Sequence, residues 1–168
     1  MKSFTVAILV NNRFGVLNRI TSMFRRRQFN IISLAVSETE SPEYSRLTVR
    51  SAGEGAAKQQ LINQLYKLPD VLSIKEFDPE ESVSREMLLI KVANDPATRT
   101  DVTEAVAAYE GKIIDYTKQS IIIQMVGDSR KIDNFLDLMR DFKILEICRT
   151  GIVSLERGGT TINENLFI

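Results

Sequence analysis

The spacing of apolar residues changes period several times along this chain, and the order of those changes restricts the fold more than any other feature. Phe4, Val6, Ile8 and Val10 recur at every second position, the pattern of a strand with one buried face. Asn11-Asn12-Arg13-Phe14-Gly15 interrupts it. Val16, Ile20, Met23, Phe24 and Arg27, with Leu17 beside them, then fall at helical spacing. Ile32, Leu34 and Val36 restore the alternation. After Ser41-Pro42-Glu43, Leu47 and Val49 carry it through another strand. A second helix is expected through Ala57, Leu61, Leu65 and Leu68, ended by Pro69-Asp70, before a strand from Val71 to Phe77. The order β-α-β-β-α-β predicts an α+β, ferredoxin-like module: an antiparallel sheet with both helices on one face.

The same order then recurs. Asp78-Pro79-Glu80-Glu81-Ser82 is polar and reads as a linker. Beyond it, Met87 to Ala93 reads as a strand, and Val102, Ala105, Val106 and Tyr109 share a helix face with Gly111 as its cap. Lys112 to Tyr116 and Ile121 to Val126 form a hairpin-like pair. Ile132, Phe135, Leu136 and Met139 line another helix, capped by Asp128 or Ser129. A last strand is expected from about Ile144 to Leu155, bent at Gly151. The expected division is a module over residues 1–78, a linker 79–83, a second module 84–158 and a disordered tail 159–168. Two helices on one face leave the other face of each sheet needing a partner, so a homodimer is expected, formed chiefly through the first module.

Composition removes whole classes of function. The 168 residues include no His and one Cys. That excludes Ser-His-Asp and Cys-His catalysis, phosphohistidine chemistry, the usual zinc sites and an internal disulfide. Lys and Arg number 22 and Asp and Glu number 22, a formal charge of zero that argues against general nucleic-acid binding. No apolar run approaches the ~18 residues of a membrane span, and the first residues lack the regions of a signal peptide. A cytoplasmic protein is expected, free of membrane and nucleic-acid partners.

Asn12-Arg13-Phe14-Gly15-Val16-Leu17-Asn18-Arg19, between a strand and a helix, resembles the start of an ACT domain, the amino-acid-sensing module. Arg27-Gln28-Phe29-Asn30-Ile31, Ser45-Arg46-Leu47-Thr48, Arg85 to Val92, Gly111 to Asp115 and Arg149-Thr150-Gly151-Ile152-Val153 follow in order. Together, from about Phe4 to Arg157, they are similar to the regulatory (small) subunits of bacterial acetohydroxyacid synthase, also called acetolactate synthase. The resemblance implies a non-catalytic partner of a thiamine-diphosphate enzyme in branched-chain amino-acid synthesis. It implies activation of the catalytic subunit and feedback inhibition, usually by valine, with leucine and isoleucine as alternative effectors. Thiamine diphosphate, Mg²⁺ and FAD are then expected on the catalytic subunit and no cofactor on this chain. The runner-up is a free-standing ACT-type sensor acting on another protein.

A free amino acid presents a carboxylate, an ammonium and a side chain. Gly15, opening a helix, allows close approach to unpaired N–H groups, an anion site. Asn12 and Asn30 offer amide oxygens and N–H donors, and Val16, Leu17 and Ile31 offer apolar walls. By the family's pattern, Asn30 and Ile31 face the loop of a second chain. The bland alternative is a tight turn at Gly15 with Asn residues capping loops. Arg25-Arg26-Arg27 reads as complementing a helix C-terminus, Asp133, Asp137 and Asp141 as an exposed helix face, and Cys148 as a small core residue.

Overall fold

The computed structural model describes residues 3–163. They form two compact units: one holds the chain up to Val83 and again from Gly151, the other Ser84–Thr150. The first contains β1 (Ser3–Asn11), α1 (Val16–Arg26), β2 (Ile31–Glu38), β3 (Tyr44–Ala52), α2 (Ala56–Leu65) and β4 (Val71–Glu76). Its sheet runs β2-β3-β1-β4 with every neighbouring pair antiparallel. Val6, Ile8 and Val10 of β1 share one buried cluster with Val16, Ile20, Met23 and Phe24 of α1 and Leu61 and Leu65 of α2. The spacing that predicted α1 is therefore the spacing of its buried face. At its C-terminus Gln28 takes a left-handed φ of 58°. The Phe29 N–H bonds the Phe24 carbonyl at 3.0 Å and the Gln28 N–H bonds that of Arg25 at 3.2 Å, a Schellman closure. Phe29 then packs edge-on to Phe24, ring centroids 6.2 Å apart. The helix α2 ends at Leu65, before Leu68. Pro69 disfavours a helical conformation at the residue preceding it, and the chain finishes in turns.

The second unit contains β5 (Ser82–Ala93, begun in the first), α3 (Arg99–Ala108), β6 (Lys112–Tyr116), β7 (Ser120–Gly127), α4 (Ser129–Met139) and β8 (Ile144–Arg149). Its sheet runs β6-β7-β5-β8. Leu88, Ile90 and Val92 form a core with Ile121, Ile123 and Met125 under Val102, Val106, Ile132, Phe135 and Met139. Glu110, not Gly111, supplies the left-handed residue after α3, with φ 57°. Gly111 is needed for space: a Cβ there would sit 2.6 Å from the Met125 sulfur. Asp128 caps α4, its Oδ1 accepting from the Lys131 N–H at 2.8 Å. Asp128→Ala is expected to cost about 1 kcal/mol. A lower urea midpoint would show this, and an unchanged midpoint would mean that the cap contributes nothing.

The expected last strand is two strands. The chain leaves β8 at Arg149, and β9 (Val153–Glu156) pairs with β5, whose first residues belong to the same unit as β9. By their contacts, residues 151–158 group with the first unit. Cys148 is exposed rather than in the core. It pairs with Leu89 on an edge strand, on the face opposite the buried Leu88 and Ile90. In the first unit, Ala7 and Leu9 point away from the helices yet have no exposed surface. The returning chain crosses their cross-strand neighbours. Ser154 accepts from Arg46 Nη2 at 2.6 Å, and Glu156 pairs with Lys75 at 3.0 Å. Over Ala7 and Leu9, the outer face of this sheet is covered by this chain's own residues. Asn163, in the expected disordered tail, donates to Glu40; the rest of that tail, 164–168, lies outside the described residues.

Candidate functional site

Four residues separate β1 from α1, and Gly15 ends the turn between them with φ 82°. That left-handed conformation favours glycine, and no atom lies within 4 Å of where its Cβ would stand. The helix has no side-chain cap and no acidic residue in its first turn. The Val16 N–H reaches the Arg13 carbonyl at 3.3 Å and the Arg19 N–H the Gly15 carbonyl at 3.0 Å. The N–H groups of Leu17 and Asn18 have no partner among the described residues. A helix start with two open donors and no competing carboxylate favours an anion. Half-exposed Arg19 braces the loop, pairing with the buried Asp70 at 2.5 Å, while the Asp70 carbonyl accepts from the Asn11 N–H at 3.0 Å.

Asn12 is exposed but committed. Its Nδ2 donates to Glu38 Oε1 at 3.1 Å and to the Pro42 carbonyl at 2.9 Å. Its backbone N–H bonds the Glu43 carbonyl at 2.7 Å. Oδ1 is left as an acceptor that a ligand ammonium can use, beside the Glu38 carboxylate. Glu38 and Pro42 belong to the end of β2 and the turn after it, and sequence reasoning did not connect them to this loop. The Ser41-Pro42 punctuation marked the turn but not what it touches. Val16, expected as a wall, is 4% exposed and lies in the core, so only its backbone faces the loop. Leu17 is 43% exposed and Phe14 fully exposed.

Asn30 and Ile31 stand elsewhere. Ile31 pairs with Ser51, and Asn11 with Tyr44, so the two groups occupy opposite ends of β3. At ~3.4 Å per residue the seven-residue offset is about 24 Å. The Asn30 carbonyl accepts from the Ala52 N–H at 3.2 Å and Ser51 Oγ at 2.9 Å, which fixes the backbone and leaves the exposed side-chain amide open. One chain thus joins Asn12, Gly15 and Leu17 at one end of the sheet, and Asn30 with half-buried Ile31 at the other. No group of three His, Cys, Asp or Glu able to hold a metal occurs among the described residues. No helix among them is long and apolar enough to cross a membrane.

Comparison with known proteins decides the family. Residues 6–73 match the "AHAS small subunit-like ACT domain" and residues 85–158 the "Small subunit of acetolactate synthase". The chain belongs to the acetolactate synthase small-subunit family. It is 42% identical over 154 residues to a probable acetolactate synthase small subunit of Archaeoglobus fulgidus, covering 92% of this chain and 96% of that one. The acetolactate synthase small subunit of Bacillus subtilis is 39% identical, covering 91% and 90%. The crystal structure of the small subunit from Thermotoga maritima superposes with a TM-score of 0.87 at 36% identity, over 95% of this chain and all of that chain. Both modules match, which sets aside the free-standing sensor. Family membership makes this the regulatory subunit, with catalysis on the large subunit.

Proposed function

We propose that this small subunit activates the acetolactate synthase catalytic subunit and confers feedback inhibition by valine, or a related branched-chain amino acid, bound between two copies of the chain. Thiamine diphosphate, Mg²⁺ and FAD belong to the catalytic subunit in this reading, and the setting is the cytoplasm. The observation that carries it is the pair of open N–H groups at Leu17 and Asn18 behind Gly15, which suit a carboxylate. Asn12 Oδ1 and the Glu38 carboxylate beside it suit an ammonium. Exposed Leu17 suits an aliphatic side chain.

The sheet order supports a dimer. Strand β2 is an edge, with one side unpaired among the described residues. Pairing it antiparallel with its own copy about a two-fold axis sets Ile31 of one chain beside the Glu38 end of the other. Asn12 holds Glu38, so Asn30 of one chain arrives at the Gly15 loop of the other. Two groups 24 Å apart in one chain, by the ~3.4 Å rise, become one site in the pair.

Asn30→Ala removes one hydrogen bond to a charged group, worth about 1.5–3 kcal/mol, or roughly ten- to a hundredfold in valine affinity. Titrating valine against the reconstituted enzyme checks this. Wild-type sensitivity in that variant would place the effector site elsewhere, and a chain that fails to stimulate the catalytic subunit would overturn the regulatory reading.

A further inference from the structure

The returning segment touches more than the sheet it covers. Gly151 lies against β2 so closely that a Cβ would stand 2.6 Å from the Leu34 carbonyl carbon and 2.9 Å from the Ala35 nitrogen. The segment then crosses β3, where Arg46, lying 5.8 Å over the Phe77 ring, holds Ser154, and β4, where Lys75 holds Glu156. Arg157 N–H bonds the Glu81 carbonyl at 2.8 Å. At its far end Asn163 donates to Glu40. Glu40 lies in the turn between β2 and β3, the turn that Asn12 grips through Glu38, Pro42 and Glu43.

We propose that residues 151–163 are a strap that transmits effector binding: one end senses the 38–43 turn beside Asn12, the other continues into Thr150 and Arg149 of the second unit. This deepens the effector reading above and rests on it. A ligand ammonium on the Glu38 carboxylate competes with Asn12 Nδ2 for one of the contacts that hold that turn, and the turn's position is shared with Asn163. At the opposite end the chain runs on into Thr150, which is fixed within the second unit. The Thr150 N–H bonds the Met87 carbonyl at 2.9 Å, and its Oγ1 accepts from the Met87 N–H at 2.9 Å. The seat itself is imperfect. Glu156 Oε2 and Asn163 Oδ1 on the strap, and Ser33 Oγ on β2, are buried without a hydrogen-bond partner among the described residues. A displaced strap would hydrate the first two, so seated and displaced arrangements compete, as a transmitting element requires.

The test uses the full chain reconstituted with the catalytic subunit. Gly151→Ala puts a methyl against the β2 backbone and lifts one end; Asn163→Ala releases the other and touches no core. Both variants are expected to stimulate the catalytic subunit. In calorimetry on the isolated chain, both should bind valine within about threefold of wild type, while the inhibition coupling, typically about 5–150-fold, falls toward one. A purely structural role would lower stability and valine affinity together and leave inhibition by bound valine intact, which would overturn the strap. If Gly151→Ala fails to fold, Asn163→Ala decides alone. Normal inhibition in the variants, with valine binding by wild type, overturns the strap only. A wild-type chain that binds no valine removes the effector reading and the strap with it.

Discussion

Gly15→Asp is expected to lower valine affinity by on the order of a hundredfold or more while leaving fold and activation intact. Nothing within 4 Å opposes the new Cβ, so the cost to the fold is confined to the left-handed φ of 82°. For an aspartate that strain is at most about 1–2 kcal/mol. The introduced carboxylate stands at the N-cap of α1, where it can accept from the open N–H groups of Leu17 and Asn18. It then occupies the anion site from within. It also repels the ligand's carboxylate, by roughly 4 kcal/mol at 4 Å and an effective dielectric near 20. Competition and repulsion act in the same direction. Calorimetry with valine reads the affinity, and stimulation of the catalytic subunit reads the fold. Unchanged affinity would mean that the helix start is not the carboxylate site.

Arg149→Ala is expected to destabilise the second unit by about 3 kcal/mol. Arg149 grips Glu86 through two bonds, Nε to Oε2 at 2.6 Å and Nη2 to Oε1 at 2.7 Å, and Glu86 keeps only 5% of its side chain exposed. The hydrogen bond to Glu86 raises the Arg149 pKa above its ordinary value, so the guanidinium is charged at any usable pH. Truncating it leaves a buried carboxylate without its counterion. The value sits at the low end of the usual range because Arg149 itself is 29% exposed, and the more exposed Asp133 contact adds little. Urea unfolding measures the loss. Replacing the pair together, Arg149→Met with Glu86→Leu, is expected to recover most of it, since no charge then remains buried. A wild-type midpoint for Arg149→Ala would show that Glu86 finds another partner.

Much of this molecule is legible from local pattern. Val16, Ile20, Met23 and Phe24 announce α1 because their spacing is the burial itself, and Ile121, Ile123 and Met125 do the same for β7. Failures begin where a residue answers to something distant. The run from Ile144 to Leu155 is strand-like throughout, and only Gly151 breaks it. Its need for an absent Cβ comes from the backbone of β2, more than a hundred residues earlier in sequence. Gly111 reads as a left-handed cap, yet Glu110 carries that conformation and Gly111 serves the Met125 sulfur. At the site, Gly15 and Asn12 stand out from sequence because loop chemistry is local. Glu38 and Pro42, 26 and 30 residues from Asn12, do not. Val16 misleads in the opposite way: it neighbours the loop in sequence but turns into the core.

The central claim is that one effector site draws Gly15 from one chain and Asn30 from its partner, and mixing two defective chains tests it directly. Gly15→Asp and Asn30→Ala homodimers each lack an intact site. Denatured together in equal amounts and refolded, half of the dimers are mixed, and each mixed dimer carries one site with both wild-type residues and one with neither. Calorimetry should then find tight valine binding at about a quarter of all sites, in a mixture of two proteins that separately bind weakly. No recovery of tight binding in a mixture shown to contain the mixed dimer would place both residues in the same chain's site and contradict the account.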